Sequence, residues 1–235
     1  MKPHRAIATL FVLFHAACDA REIPAHLTSD QVRAEMASDD PTRFLDGGER
    51  VFFDDFERAE LGPRWSVDRI ASEPNGPDWR IEGGWVRGDQ TKNQGLWAEV
   101  IPDGPVRVEV VMKSLTPAKG KFAGDIKFEA FATAGAHEKG YSFINGGWSN
   151  QFDTIAKLGE HSADDRRAPA HAVEANKSYR YAAVRTTNKV YFFRDRQLLY
   201  TFDDAAPIQG HWLALNNWLS SAAFGEVAVF KLPAK

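Results

Sequence analysis

The stretch of residues 141–150, YSFINGGWSN, carries the residue types that recognise a sugar. Side chains alternate between the two faces of a strand, so Tyr141 and Asn145 share one face before the strand enters a Gly-Gly turn. Trp148 and Asn150 follow that turn. An aromatic ring stacks on the apolar face of a sugar, and amides bond to its hydroxyl edge. The stretch predicts a loop that contacts a saccharide, with a hairpin ending on a core tryptophan as the alternative.

A second aromatic stretch, HWLALNNW at 211–218, also suits a sugar. Trp212, Asn216 and Trp218 would share one face of a strand there and form a platform. Trp218 therefore joins the predicted saccharide contacts. The alternative is that these tryptophans belong to the core, because large aromatic residues are buried on average.

Residues for acid and base chemistry occur in two places. In GDIKFEAF, at 124–131, Asp125, Lys127 and Glu129 share a strand face, with a cation between two acids. Such a lysine lowers the pKa of its acidic neighbours and spoils one of them as a general acid, yet it also serves proton abstraction. Glu129 is the catalytic candidate of this strand. The alternative is three polar residues on the outer face of a sheet.

The second place is LGEH, at 158–161, where Glu160 and His161 are adjacent. Histidine titrates near neutral pH, and glutamate can be tuned towards it, so the two can act as base and acid. Neighbours on a strand point to opposite faces, so the pair needs Gly159 to break the strand. An ordinary loop is the alternative.

Metal chemistry has weaker support in the sequence. Asp54, Asp55 and Glu226 supply the oxygen ligands that Ca²⁺ takes, so a structural calcium ion is one prediction. The seven histidines form no H-x-H or H-E-x-x-H pattern, which argues against a catalytic zinc site. No nucleophile elbow, phosphate loop or dinucleotide fingerprint occurs, so we expect no required cofactor.

The N-terminus indicates export. Residues 1–18 combine a basic start with an apolar run of twelve residues, which suits a secretory signal peptide and is too short to span a bilayer. Cys18, the single cysteine, follows FHAA, which resembles the lipobox of bacterial lipoproteins, where the cysteine is lipidated. The sequence predicts a lipoprotein of the bacterial cell envelope, held to the membrane only by that lipid. Plain secretion after cleavage near Cys18 or Ala20 and an uncleaved chain are the alternatives.

The rest of the chain divides into a tether and one domain. Residues 19–50 are polar, with one helix predicted at Ser29–Ala37 between Thr28 as N-cap and Pro41. From residue 51 to 235 short β-like runs alternate with turn residues, including strands predicted at 105–114, 122–132 and 140–145. The net charge of −3 comes from interspersed charges without a basic stripe, so nucleic acid is excluded as a partner.

Three segments resemble a known group of proteins. They are FFDDFERAELGPRW at 52–65, WRIEGGWVRG at 79–88 and YFFRDRQLLYTFDDAAPIQG at 191–210. These segments are similar to the concanavalin A-like lectin/glucanase domains of bacteria, and their residue pattern is closest to that of 3-keto-disaccharide hydrolase-like domains. The resemblance implies an all-β jelly-roll sandwich of two antiparallel sheets, with a glycan across the concave one. Laminarinase-like members carry E-x-D-x-x-E on one strand, and this chain lacks that motif.

Two functions are therefore open. The first is a carbohydrate-processing enzyme of the cell envelope, acting by hydrolysis or elimination, as a glycoside hydrolase or a polysaccharide lyase. The second is a non-catalytic, lectin-like glycan-binding module. An enzyme should bring at least two titratable groups into one pocket, whereas a binder should show aromatic and amide groups there without an acid/base pair.

Overall fold

The computed structural model describes residues 40–67, 78–89, 91–115, 123–161 and 166–233, without the side chains of 166–168. The predicted signal peptide, Cys18 and the predicted helix Ser29–Ala37 lie outside the described residues. Residues from Pro41 onward form one compact unit. No described helix is long and apolar enough to cross a membrane.

The described chain is built almost entirely of strands. A 3-10 helix, Pro41–Leu45, comes first. The strands are β1 Glu49–Asp54, β2 Ser66–Val67, β3 Arg80–Ile81, β4 Val86–Asp89, β5 Leu96–Glu99, β6 Val106–Ser114, β7 Ile126–Ala132, β8 Tyr141–Gly146, β9 Phe152–Lys157, β10 Arg166–Pro169, β11 Ser178–Arg185, β12 Lys189–Arg194, β13 Gln197–Asp203, β14 Trp212–Asn217 and β15 Ser221–Lys231.

The strands form two antiparallel sheets. The eight-stranded sheet has the order β13-β12-β11-β6-β15-β4-β3, and β1 pairs with β15 beside this path. The seven-stranded sheet has the order β10-β9-β8-β7-β14-β5-β2. The predicted all-β sandwich of two antiparallel sheets is confirmed.

The core lies between the sheets, where the apolar halves of the alternating strands meet. Phe128 of β7 stacks on Phe143 of β8 at 5.0 Å between ring centroids, and both rings contact Phe192 of β12 in the opposite sheet. Burying an aromatic side chain of this kind stabilises the fold by about 1.5–3 kcal/mol. The three rings therefore fix the spacing and mutual position of the two sheets beneath the site described below.

The outer face of the seven-stranded sheet carries the other half of the alternation. Strand pairing sets its side chains in rows that run across the strands. The Glu129 row is Ser66, Trp97, Ala214, Glu129, Ser142 and Ala156. The Lys127 row is Asn216, Lys127, Ile144 and Thr154. The Trp212 row is Glu99, Trp212 and Ala132.

A bulge keeps Ala132 in this outer face. The pairing of β7 with β14 shifts between Trp212 and Ala214, and Phe131 has a φ of 61°. Phe131 consequently turns into the core, where it packs on Tyr141 and Phe143. The extra residue restores the alternation, so Glu129 and Ala132 lie on the same side of the sheet.

Candidate functional site

A cleft of about 290 Å³ opens over the Lys127 row, on the outer face of the seven-stranded sheet. Strands β7 and β8 supply its floor, and six connections between strands supply its walls. Its lining residues are Asn93, Asp125, Lys127, His137, Glu138, Ile144, Trp148, Glu160, His161 and Trp218.

An ion pair between Lys127 and Glu160 crosses the cleft. Lys127 Nζ donates to Glu160 Oε1 and, at 2.5 Å, to Oδ1 of Asn93. Burial would raise the pKa of Glu160, but the charge and hydrogen bond of Lys127, aided by His137 and His161, hold the pKa below its ordinary value. Glu160 is therefore a carboxylate at neutral pH.

Asp125 has the opposite tendency, although it faces the same cleft. Burial raises the pKa of its carboxyl, and the negative charge of Glu160 adds to the rise. The backbone N–H of Trp148, which donates to Asp125 Oδ1 at 3.2 Å, and the charge of Lys127 oppose it without reversing it. Two carboxyl groups of one cleft thus have pKa values shifted in opposite directions, which is the arrangement that separates an acid from a base.

His137 covers Glu129 at the edge of the cleft. Its Nδ1 lies 2.8 Å from Glu129 Oε1, and its Nε2 lies 2.9 Å from Nδ2 of Asn93. Because Oδ1 of Asn93 accepts from Lys127, the Asn93 amide group points its N–H at His137. In the neutral ring Nε2 is then the acceptor, and Nδ1–H donates to Glu129.

The neighbouring Glu129 favours the protonated form of His137. Burial lowers the pKa of His137, but the hydrogen bond and charge of Glu129 outweigh burial, so that the pKa lies above its ordinary value. Asn216 donates to the same Glu129 oxygen at 2.6 Å. The other oxygen of Glu129, Oε2, is buried and has no hydrogen-bond partner in the part of the chain that the structure describes.

A left-handed turn presents Trp148 at the rim. Trp148, Ser149 and Asn150 all have positive φ, at 49°, 69° and 62°. The amide of Asn150 holds the turn, since it donates to the carbonyl of Ala123 and accepts from the N–H of Val173 at 3.1 Å. The Trp148 ring meets the His161 ring edge-on at 5.7 Å. The turn therefore fixes an aromatic side chain beside an imidazole.

The structure brings four of the predicted site residues into the cleft: Trp148, Glu160, His161 and Trp218. Trp218 is 44% exposed and available at the rim. Glu129 lies directly below, 1% exposed, and is screened by His137. Asn150 does not line the cleft, because both ends of its amide bond to backbone.

The predicted orientation of Tyr141 and Asn145 is wrong. Tyr141 is buried between the sheets, where its hydroxyl donates to Asp204 at 2.5 Å. Asn145 accepts from the hydroxyl of Tyr181 in the same core. The alternation along β8 was read correctly, but the opposite face, carrying Ser142 and Ile144, is the one that looks out of the sandwich.

The oxygen set predicted for calcium does not converge. Asp54 is bound by Arg58 and by the indole N–H of Trp65, while the Glu226 carboxylate pairs with Arg180. Asp55 accepts from the N–H of Glu57 at the surface. Within the described ranges, no group of three or more His, Cys, Asp or Glu is placed to hold a metal ion. The structural calcium ion itself stays an untested prediction.

Sequence reasoning missed Asn93 and His137. They lie 34 residues before and 10 residues after Lys127, in loops without a strand pattern, and the fold alone brings them together. The sequence offers only the residue types as a signal for these two positions, because each is an isolated histidine or asparagine between turns.

Comparison with solved structures identifies the fold. A β-glucanase of Bacillus licheniformis matches 80% of this chain and 100% of its own, with a TM-score of 0.56 at 15% identity. The carbohydrate-binding module CBM66 of Bacillus subtilis matches 73% of this chain and 98% of its own, with a TM-score of 0.53 at 13% identity.

A third structure comes from work on endo-acting O-glycanases that members of the human gut microbiota express to initiate mucin breakdown. It matches 79% of this chain and 100% of its own, with a TM-score of 0.57 at 15% identity. No family model matches the chain, and no curated protein matches it. At these identities the likeness establishes the fold alone, which is the concanavalin A-like jelly roll that the sequence predicted.

Proposed function

We propose that this chain binds a saccharide in the cleft and hydrolyses a glycosidic bond there, with Asp125 as the proton donor and Glu160 as the carboxylate base or nucleophile. The observation that carries the proposal is the opposite displacement of the two carboxyl pKa values within one cleft. Solved structures of the same fold include glycanases and a carbohydrate-binding module, which supports a saccharide as the ligand.

The chemistry requires both states at once. Glycoside hydrolysis needs a carboxylic acid that protonates the leaving oxygen and a carboxylate that activates water or attacks the sugar carbon. Burial raises the pKa of Asp125, which favours its protonated form, and Lys127 keeps Glu160 ionised. His161 borders Glu160 and the Trp148 ring, so it adds positive charge beside the carboxylate when it is protonated.

The charges of the cleft favour hydrolysis over elimination. Elimination from a uronic acid sugar calls for a cation that faces the sugar carboxylate. Among the described residues that line this cleft, Lys127 is the one lysine or arginine, and it is bonded to Glu160 and Asn93. Glu138 and Glu160 place carboxylates at the cleft, and these repel an anionic sugar. The charges of the cleft therefore favour a neutral saccharide.

The alternative is a glycan-binding module that does not cleave its ligand. Trp148 and Trp218 form an aromatic rim that suits such a role. A pure binder has no need of two carboxyl groups with separated pKa values below that rim, and this favours the enzyme. The export predicted from residues 1–18 would place the activity in the cell envelope.

A product screen with matched variants tests the proposal. The full chain is incubated with neutral oligosaccharides of several linkages, beside Asp125→Asn and Glu160→Gln. We expect each substitution to lower product formation by about 100-fold or more, the size of a lost acid or base. Asp203→Asn, at an exposed acid, and Glu226→Gln, at a half-buried acid paired with Arg180, lie away from the cleft and serve as controls.

The same screen separates the two functions. Saccharide binding that depends on Trp148, without product from any substrate, would contradict hydrolysis and leave the binding module. Product formation that survives both Asp125→Asn and Glu160→Gln would remove the two carboxyl groups from their proposed roles.

A further inference from the structure

A second pocket lies on the outer face of the seven-stranded sheet, next to the Trp212 row. It has a volume of about 360 Å³, within the range of small-ligand sites. Its lining residues are Pro63, Arg64, Ser66, Glu99, Val100 and Trp212, none of which lines the cleft.

This pocket is separate from the cleft. Trp212 lies four residues before Asn216 along β14, so the two rows are about 13 Å apart at about 3.3 Å per residue. The loop between β7 and β8 lies between them, since its Gly135 contacts the Trp212 ring and its His137 lines the cleft. A sugar in one site does not occupy the other.

The Trp212 ring is held in place before any ligand arrives. A Cβ added at Gly135 would meet ring atoms of Trp212 at 2.9 Å, so the ring packs closely against this glycine. Trp212 also packs against the buried group of Trp97, Ala132 and Ala214. Its remaining surface borders the pocket. A ring fixed in this way loses little freedom when it stacks on a ligand.

The polar side chains around the Trp212 ring are available to bond a ligand, whereas those of the cleft already bond to one another. Within the described ranges, no hydrogen bond or ion pair engages the side chains of Ser66 or Glu99, both of which are exposed. Among the described residues, no hydrogen bond or ion pair engages Arg64 either, and its guanidinium carbon lies 6.0 Å from the ring centroid of Phe52. The pocket thus offers a carboxylate acceptor, a guanidinium donor and a hydroxyl group beside an aromatic platform.

These groups match one class of ligand. A pyranose presents an apolar face of C–H groups to a ring, and its hydroxyl edge both donates to a carboxylate and accepts from a guanidinium. We propose that the Trp212 pocket is a second saccharide-binding site, in which Trp212 stacks on a neutral sugar unit, Glu99 accepts from its hydroxyl groups, and Arg64 and Ser66 complete its hydrogen bonds. The proposal is independent of hydrolysis in the cleft.

The test follows the indole N–H signals of the ¹⁵N-labelled full chain by NMR. Cellohexaose, laminarihexaose and N-acetylchitohexaose are titrated to about 10 mM, above the millimolar Kd of a weak site. We expect the Trp212 signal to shift with a saturating curve. Glu99→Ala and Ser66→Ala should each raise its Kd by about 3- to 10-fold, the effect of one hydrogen bond, and leave the Trp148 response unchanged.

The controls keep the result decisive. Glu99 and Ser66 are exposed and have no hydrogen-bond or ion-pair partner among the described residues, so we expect their alanine variants to retain the fold. Glu49→Ala, at an exposed acid of the other sheet, should change nothing. A Trp212 signal that none of the three saccharides moves would overturn the proposal, as would a Kd at Trp212 that Glu99→Ala leaves unchanged. Product formation in the cleft without any Trp212 response would overturn the proposed Trp212 site and leave the proposed hydrolysis in the cleft standing.

Discussion

At the scale of single residues, the cleft is organised by a chain of hydrogen bonds that begins at Lys127. Lys127 orients the amide of Asn93, Asn93 donates to Nε2 of His137, and His137 donates to Glu129. Each partner fixes the direction of the next, since an amide that accepts at its oxygen must donate at its nitrogen. Glu129 therefore acts on the cleft through His137 and is a positioning residue, although the sequence suggested a direct role.

The pKa of His137 provides the first prediction at this scale. Glu129 raises that pKa against burial, so Glu129→Gln should lower it. A raised histidine pKa adds stability below the ordinary value of about 6.5, and this stability is lost as the pH rises through the folded-state pKa. We expect Glu129→Gln to cost about 1–3 kcal/mol near pH 5.5 and less near pH 8.5.

Two measurements check this expectation. An NMR titration of the His137 ring gives its pKa in both chains, and urea unfolding at the two pH values gives the stability difference. His137 also faces Glu138 and Glu160 at 3.9 Å, as well as Lys127, and these groups stay in both chains. A cost that is equal at the two pH values would show that the Glu129 charge does not act through His137.

At the scale of elements, the turn after β8 stores backbone strain. Three consecutive residues other than glycine, Trp148, Ser149 and Asn150, lie in the left-handed region. Each such residue costs about 1–2 kcal/mol. The bonds of the Asn150 amide to backbone offset this cost, so that the Trp148 ring stands at the cleft in one orientation.

The strain at Ser149 provides the second prediction. Ser149 has a φ of 69°, is exposed, and its side chain makes no hydrogen bond within the described residues. Ser149→Gly should relieve about 1–2 kcal/mol of strain against about 0.5–1 kcal/mol of added chain entropy, a net gain of about 0.5–1 kcal/mol. Ser149→Ala should bring no gain, because alanine retains the Cβ. Urea unfolding compares the three chains, and a less stable glycine variant would mean that the turn is unstrained.

The elements themselves were largely predictable from the sequence. The strand predicted at 140–145 corresponds to β8, Tyr141–Gly146, and the Gly-Gly turn after it was anticipated from residue types. Which face of β8 points outward could not be predicted, because alternation defines two faces and only the packing of the two sheets decides which one meets the core. Asn93 and His137 were missed for a related reason, since contacts between distant loops leave no local pattern.

At the scale of the whole molecule, one buried arginine joins the connections between the sheets. Arg185, at the end of β11, is 1% exposed and donates to the carbonyls of Pro102, Gly104, Ile208 and Gly210. The first two carbonyls belong to the connection from β5 to β6, and the other two to the connection from β13 to β14. Both connections pass from one sheet to the other.

Arg185 therefore provides the last prediction. Burial lowers the pKa of its guanidinium to about 10, so it stays charged at neutral pH, and its plane lies over Phe131 at 4.6 Å. Arg185→Met keeps much of the packing volume but leaves four carbonyls without their donor. We expect a loss of about 3–5 kcal/mol in the free energy of unfolding, because four carbonyls lose hydrogen bonds from a charged donor, each worth about 1.5–3 kcal/mol and not fully additive.

Arg185→Lys should recover only part of that loss, because an ammonium group cannot reach both connections with the planar fork of a guanidinium. Urea unfolding gives both values, and an unchanged dependence on denaturant would show that the same surface is exposed on unfolding. A loss below about 1 kcal/mol for Arg185→Met would mean that packing between the sheets, and not this arginine, holds the two connections. The cleft lies on the outer face of the sheet that these connections enter, so a chain weakened here should lose saccharide binding at the temperature at which it unfolds and not before.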